Sequence, residues 1–292
     1  MESVAPALHD TLLRLSDAAA GAAAGNGVAL HTWSASPAPR GVLVAVHGIG
    51  GHGAPFRRLA EGLAAQGWAV WAPDLPGHGL SPGPRGWVPS WRALGEVVAL
   101  TLGRAAAAFP GRPRVLLGHS LGGAVCLDLL LREPALAQDL QGLVLTNPAL
   151  DAQGIAPWRV LAARLLARLW PTLTLDTGID MTLASRDPAA LERFRADPLR
   201  HSRCSMRLGA GFLAAAATLP QRVSELRLPL LLLQSGDDRV TGPAAAERVF
   251  AAAGSADKTW RLYPQSRHEL LDDLDRAAVL ADLHSWLQRH GA

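Results

Sequence analysis

The stretch Arg114-Val115-Leu116-Leu117-Gly118-His119-Ser120-Leu121-Gly122-Gly123-Ala124-Val125-Cys126-Leu127-Asp128-Leu129-Leu130 decides the fold. It runs from a short apolar segment through Gly-x-Ser-x-Gly into a helix-like pattern. A serine on a sharp turn from strand to helix adopts a strained backbone, and only small neighbours leave it room. The turn lifts the hydroxyl clear of the sheet. The new helix turns its unpaired N–H groups toward whatever sits beside it. The pentapeptide alone arises by chance in a chain with 29 glycines. With the flanking strand and helix, it marks Ser120 as a nucleophile rather than part of an ordinary βα turn.

A nucleophile of this kind needs a base, and the base needs an orienting acid. Downstream, Leu230-Leu231-Leu232-Leu233-Gln234-Ser235-Gly236-Asp237-Asp238-Arg239-Val240 is a buried-type strand ending in a loop with two adjacent carboxylates. Then Trp260-Arg261-Leu262-Tyr263-Pro264-Gln265-Ser266-Arg267-His268-Glu269 is a strand running into a loop with a histidine. Of the ten histidines, His268 alone has this placement, while His284 and His290 fall in a terminal helical pattern. Groups at the carboxyl ends of three parallel strands converge on one edge of a sheet. The candidates are therefore Ser120, one carboxylate of the Asp237–Asp238 pair, and His268.

Upstream, Val42-Leu43-Val44-Ala45-Val46 reads as a central strand, followed by His47-Gly48-Ile49-Gly50-Gly51-His52-Gly53. A glycine-rich loop there can aim a backbone N–H, that of Ile49, at an oxyanion formed during acyl transfer. The N–H of Leu121, just after the nucleophile, supplies the second donor. A dinucleotide-binding reading is weaker, because the Gly-x-Gly-x-x-Gly spacing is absent.

These residues resemble the monoacylglycerol lipase and lysophospholipase branch of the α/β-hydrolase superfamily, over a span from about Gly41 to the end. The order nucleophile, acid, histidine is that superfamily's order. The Gly118–Gly122 and His47–Gly50 motifs are shared across it. Pro73-Asp74-Leu75-Pro76-Gly77-His78-Gly79-Leu80-Ser81 with Pro84-Arg85-Gly86 points to the branch, as do Ser185-Arg186-Asp187-Pro188 and Asp197-Pro198-Leu199. The resemblance implies Asp238 as the acid, since in relatives that residue precedes the arginine of the strand-end loop. Ser266-Arg267 departs from the aromatic or small residue that relatives often carry before the histidine.

Composition fits this picture. A chain of 292 residues, 49% hydrophobic, can bury one large α/β core with a small insertion. Cys126 and Cys204 lie far apart and imply neither a disulfide framework nor a metal site. The cations are nearly all arginine, Lys258 being the one lysine, and no nucleic-acid motif accompanies them. Asp10, Arg14 and Asp17 interrupt every candidate apolar core near the amino terminus, so no secretion signal is expected. No stretch approaches the roughly 18 uncharged apolar residues of a membrane span. The expected location is the cytoplasm, with peripheral membrane contact admitted. Leu12 to Gly25 is alanine-rich with a helical pattern near its start, readable as a short extra helix or a loose arm.

Strands are predicted near 28–33, 42–46, 68–72, 115–118, 142–146, 230–234 and 259–263. Helices are predicted near 55–66, 91–109, 121–132, 243–253 and 274–289. Near-continuous apolar strands alternating with helices predict an α/β fold with a mostly parallel sheet covered on both faces. The core is expected to comprise residues 1–150 and 228–292, with residues 151–227 forming a helical cap inserted between core strands. In the cap, Trp158, Leu161, Leu165 and Leu169 recur at helical spacing with Arg159, Arg164 and Arg168 interleaved. The bland expectation packs this apolar stripe on the core. The sharper one makes it a lid that lines an acyl pocket, with arginines touching an anionic lipid surface. Residues 151–227 hold eleven arginines against seven carboxylates, so the positive excess of the chain sits there.

The chemistry expected is carboxylic-ester hydrolysis through an acyl-enzyme, with no cofactor or metal. The substrate expected is a monoacylglycerol or a similar medium- or long-chain acyl ester. Gly48, His119, Leu165 and Leu169 are the substrate-contacting candidates. A lysophospholipase, thioesterase, carboxylesterase or amidase remains open on the same scaffold, as does a non-catalytic ligand-binding hydrolase fold. A lipid-droplet or membrane surface is the partner that the cap would meet.

Overall fold

The computed structural model describes residues 8–15, 27–152 and 157–291. Its strands in chain order are β1 (His9–Leu15), β2 (Val28–Ser34), β3 (Gly41–Val46), β4 (Trp68–Pro73), β5 (Arg114–His119), β6 (Gly142–Thr146), β7 (Thr174–Asp176), β8 (Arg203–Ser205), β9 (Leu230–Ser235) and β10 (Lys258–Tyr263). The helices are α1 (Arg57–Ala64), α2 (Trp91–Ala108), α3 (Leu121–Arg132), α4 (Pro134–Gln138), α5 (Pro157–Leu169), α6 (Pro188–Ala196), α7 (Met206–Arg222), α8 (Pro243–Ala252) and α9 (Arg276–His290).

Eight strands form one sheet in the order β1-β2-β4-β3-β5-β6-β9-β10. From β4 to β10 the neighbours are parallel, and β2 runs antiparallel to both β1 and β4. The period of two assigns each strand residue to one of two cores. Val42, Val44 and Val46 of β3 share a cluster with Leu116 of β5 and Leu143 of β6. Leu43 and Ala45 share the opposite one with Val115, Leu117 and Val144. Helices α2, α3, α7 and α8 cover the first face; α1 and α9 cover the second. Burial on both faces is why these strands read as unbroken apolar runs.

Packing is close at points that set the register. The ring of Trp286 on α9 is fully buried against Gly142, where an added Cβ would lie 2.2 Å from the ring. Truncating that tryptophan to alanine would cost about 3–5 kcal/mol.

The amino-terminal segment departs from expectation. His9–Leu15 is neither helix nor loose arm but an edge strand, paired residue by residue with β2 from His9↔Ser34 to Leu15↔Val28. Six of its seven residues are exposed, so no alternating burial pattern marks it; the pairing with β2, the buried Leu15 and the Asp10–Arg57 and Arg14–Leu80 contacts hold it. The remainder of the Leu12–Gly25 reading, residues 16–25, lies outside the described residues.

Between β6 and β9 the chain leaves the sheet through α5, β7, α6, β8 and α7, and β7 pairs antiparallel with β8. The Ser185-Arg186-Asp187-Pro188 motif explains part of this path. Asp187 caps α6 by accepting from the Ala189 N–H, and Pro188 occupies the first turn, where its missing N–H costs nothing. The motif also fastens this region to the segment after His268. The Arg186 guanidinium reaches Asp273 at 2.7 Å and Asp275 at 2.7 Å, while Glu269 N–H donates to Ala184 O. No helix among the described residues is long and apolar enough to cross a membrane.

Candidate active site

Ser120 ends the turn between β5 and α3 with φ 53° and ψ −122°, a strained conformation for a residue with a side chain. The flanking glycines are steric requirements. A Cβ on Gly118 would lie 2.6 Å from Gly123 Cα, and one on Gly122 would lie 2.3 Å from Val46 O. The turn is pinned by Ser120 N–H donating to Thr146 O at 3.1 Å.

The three groups meet at the carboxyl edge of the sheet. Ser120 Oγ lies 2.9 Å from His268 Nε2, and His268 Nδ1 lies 2.9 Å from Asp238 Oδ2. All three residues are buried. For a neutral histidine between a hydroxyl and a carboxylate, Nδ1–H donates to Asp238 and Nε2 accepts from Ser120. Asp238 Oδ1 also accepts from the Val240 and Thr241 N–H groups, and its Oδ2 from Thr241 Oγ. Burial works against ionisation of Asp238, but the His268 contact and these donors outweigh it and hold its carboxyl at about 2. Burial alone would depress His268. The Asp238 hydrogen bond and charge, with the Glu269 charge, instead raise it above the ordinary imidazole value.

Asp237 points elsewhere. It pairs with Arg239 at 3.0 Å and sits 3.7 Å from Arg267. The structure thus brings Asp238 to the imidazole and leaves Asp237 at the surface.

The loop after β3 is held by His47. Its Nδ1–H donates to Gly48 O at 2.8 Å, and its Nε2 accepts from Leu75 N–H at 3.0 Å. Both roles require the neutral ring, and burial lowers its pKa to about 4. Gly48 lies against Ser120, since an added Cβ would be 3.0 Å from Ser120 Cβ. Ile49 and Leu121 reach the same cleft as Ser120. Leu121 opens α3, so its N–H is one of the four without an intrahelical acceptor.

That cleft measures about 620 Å³ and is mainly apolar, with Leu175, Met206, Leu208, Phe212, Leu213 and Cys204 among its walls. Burial raises the Cys204 thiol to about 11, so it faces the cleft as a protonated, weakly polar group. A second, smaller cavity of about 50 Å³ lies beyond Gly48 and His119, lined also by His52, Arg200 and Glu269. His119 therefore faces this small recess, with Nε2 at 3.3 Å from Glu269 and Nδ1 at 3.1 Å from Thr146 Oγ.

Leu165 and Leu169 do not line the cleft. They are 56% and 73% exposed, as are Trp158 and Leu161 at 66% and 69%. Helix α5 instead packs against α7; its half-buried residues are Val160, Ala162, Ala163, Leu166 and Ala167, and Ala163 reaches the cleft. Both inward readings of that stripe are overturned.

Two residues to which the sequence assigns no role also brace this region: Asn147, and Glu269 of the His268-Glu269-Leu270 run. Asn147, fully buried just past β6 at φ 43°, donates from Nδ2 to His268 O at 2.6 Å and to Ser235 Oγ at 2.8 Å. Its Oδ1 accepts from Ser235 N–H at 2.7 Å. It thus ties the ends of β6, β9 and β10 together. The second is Glu269, a largely buried carboxylate 2.5 Å from Arg200. Burial opposes its charge, but Arg200 and then His119 hold its carboxyl far below the usual range. The Asn-Pro turn signal at 147–148 was the available hint for Asn147. Nothing local in the sequence hinted at the partners of Glu269.

Known proteins match this arrangement over most of the chain. The family model described as serine aminopeptidase, S33, matches residues 37–275. A monoacylglycerol lipase of Mycolicibacterium smegmatis is 30% identical over 260 residues, covering 88% of this chain and 91% of that protein. The monoglyceride lipase of Mus musculus is 31% identical over 261 residues, covering 87% and 84%. The crystal structure of Paleococcus ferrophilus monoacylglycerol lipase superposes with a TM-score of 0.82 at 30% identity, covering 90% of this chain and 99% of that one. The chain belongs to the serine aminopeptidase S33 family, in the monoacylglycerol-lipase-like branch of the α/β-hydrolases.

Proposed function

We propose that this serine hydrolase cleaves monoacylglycerols and similar medium- or long-chain acyl esters through Ser120, His268 and Asp238. The observation that carries the reading is the unbroken relay from Asp238 through His268 to Ser120, with Ser120 opening on a long apolar cleft. Relatives at 30% and 31% identity are named monoacylglycerol lipase and monoglyceride lipase, which supports the same substrate class here.

His268 Nε2 takes the Ser120 proton as Oγ attacks the ester carbonyl. The Ile49 and Leu121 N–H groups stabilise the oxyanion, each worth about 3 kcal/mol in such sites. Asp238, whose carboxyl is held at about 2 and so is ionised near neutral pH, orients the imidazole and stabilises its cationic form. The imidazolium then protonates the leaving alcohol. Water activated by His268 clears the acyl-enzyme. These steps need no cofactor.

Residues 151–227 serve in this reading as a cap over the strand ends, with α7 and β7 supplying much of the acyl wall. The outward stripe on α5, flanked by the exposed Arg164 and Arg168, suits contact with the lipid surface from which the substrate comes. Hydrolysis of a panel of monoacylglycerols, lysophospholipids, acyl thioesters and aminoacyl amides tests the assignment. Highest kcat/KM on monoacylglycerols supports it. Preference for amides or thioesters, or hydrolysis that survives Ser120→Ala, would overturn it.

A further inference from the structure

We propose that His31, His52 and Asp74 form a binding site for one divalent transition-metal ion of the zinc class, structural in role, that fastens the loop carrying Ile49 to the sheet. One ligand atom from each residue lies within 4.8 Å of the other two. All three residues are buried. They come from separate parts of the chain: His31 from β2, Asp74 from just past β4, and His52 from the loop after β3.

The donor set suits such an ion, because two imidazoles and a carboxylate are ligands that zinc accepts. His52 supplies the decisive detail. Its Nε2 lies 2.7 Å from Asp197 Oδ2, so Nε2–H donates outward and Nδ1 is left with its lone pair. That Nδ1 is buried and has no hydrogen-bond partner. A carboxylate behind an imidazole whose other nitrogen is free is the arrangement that orients metal-ligating histidines. Asp197 is itself fixed, accepting from Leu199 N–H at 2.9 Å.

Asp74 is held in the same manner. Its Oδ1 accepts from Gly53 N–H at 2.6 Å and its Oδ2 from Leu80 N–H at 2.7 Å. Each oxygen keeps a second lone pair. His31 Nε2 stands 3.3 Å from each carboxylate oxygen. That is long for a charge-assisted hydrogen bond, which runs at about 2.7–2.9 Å. It matches the ~3.3 Å between two ligands that share one tetrahedral ion at about 2.0 Å. A plain His31–Asp74 hydrogen bond also leaves His52 Nδ1 unsatisfied, whereas a cation engages all three.

Space is kept open by two glycines. A Cβ on Gly79, at φ +51°, would lie 2.2 Å from Asp74 Oδ2 and 2.7 Å from His52 Cβ. One on Gly53 would lie 2.9 Å from His31 Cδ2. A bound ion would join β2, the end of β4 and the 47–53 loop, and through His52 and Asp197 it would reach the end of α6. The ester chemistry of Ser120 does not pass through it, so this site stands or falls independently of the proposed activity.

The test is titration of the full chain, dialysed against a chelator, with Co²⁺ and then Zn²⁺. Expected are one equivalent bound, the visible bands of low-coordinate cobalt, and a rise in Tm of several degrees with bound metal. His31→Gln should abolish the bands and the Tm rise, while His290→Gln, which alters the exposed His290–Asp257 pair, should abolish neither. Absence of binding to the wild-type chain, or cobalt bands unchanged in His31→Gln, would overturn the proposal. Should His31→Gln fail to fold, a Co²⁺-soaked wild-type crystal decides. An anomalous peak between His31, His52 and Asp74 supports the site, and peaks only elsewhere reject it.

Discussion

Asn147 Nδ2 donates to the backbone carbonyl of His268 at 2.6 Å, although the two residues are 121 positions apart. The same amide group reaches Ser235 Oγ, and its oxygen takes the Ser235 N–H. One buried side chain thereby sets the distance between the strand ends that carry Asp238 and His268. Removing it should misplace the imidazole without touching the substrate. Asn147→Ala is expected to lower kcat by one to two orders of magnitude with little change in KM, and to lower Tm. Asn147→Gly relieves the strain of φ 43° yet restores no hydrogen bond, so it should regain stability but not turnover. Full recovery of kcat in the glycine variant would reduce Asn147 to a backbone role.

The paired carboxylates make a sharper comparison. Asp238 contacts His268, while Asp237 contacts Arg239 at the surface. Asp238→Asn should lower turnover by about 10⁴-fold, as expected when the orienting acid of such a relay is neutralised. Asp237→Asn should change it less than threefold. Steady-state kinetics on a soluble short-chain ester measure both, and a reversed order would reject the assignment.

The pH profile follows from the charges around His268. The imidazole must be neutral to accept the Ser120 proton, and its pKa is raised, with Asp238 and Glu269 both contributing. The rate should therefore climb as pH rises through a value above the usual 6.5. Glu269→Gln removes one of those negative charges and leaves Arg200 beside the ring, so the rising limb should move to lower pH. A limb that stays in place or moves up would show that Glu269 does not act on the histidine electrostatically.

These cases show where the sequence was legible. Strands β3, β5, β6 and β9 announced themselves because both faces are buried, which leaves apolar runs bounded by turn residues. Ser120 and His268 were legible because each stands where a strand ends. Strand β1 was not, because six of its seven residues are exposed and its pairing with β2, like the Asp10–Arg57 and Arg14–Leu80 contacts, joins residues far apart in the chain. The choice of Asp238 over Asp237 needed the resemblance, as adjacent residues on a loop carry no periodicity. Glu269 reads as a surface charge until Arg200, 69 positions earlier, is seen beside it. The direction of the α5 stripe failed for a related reason. Helical spacing separates two sides of a helix but does not say which side finds a partner.

That outward stripe gives the last prediction. Leu165 and Leu169 are exposed, whereas Phe212 of α7 lines the cleft beside Ser120. Each buried methylene of substrate is worth roughly 0.8 kcal/mol, so a lost wall contact is felt only by chains long enough to reach it. Phe212→Ala should accordingly lower kcat/KM for medium and long acyl esters more than for acetate esters. Leu165→Asp and Leu169→Asp should leave every monomeric soluble ester almost unaffected and keep Tm within a few degrees, because nothing is uncovered. On emulsified or vesicle-borne monoacylglycerol the same two variants should be impaired several-fold, since a charge would replace the apolar contact with lipid. Activity measured across an acyl series in both formats separates the roles. Chain-length-dependent losses in Leu165→Asp with soluble esters would return the stripe to the acyl site, and undiminished activity on vesicles would deny it the lipid surface.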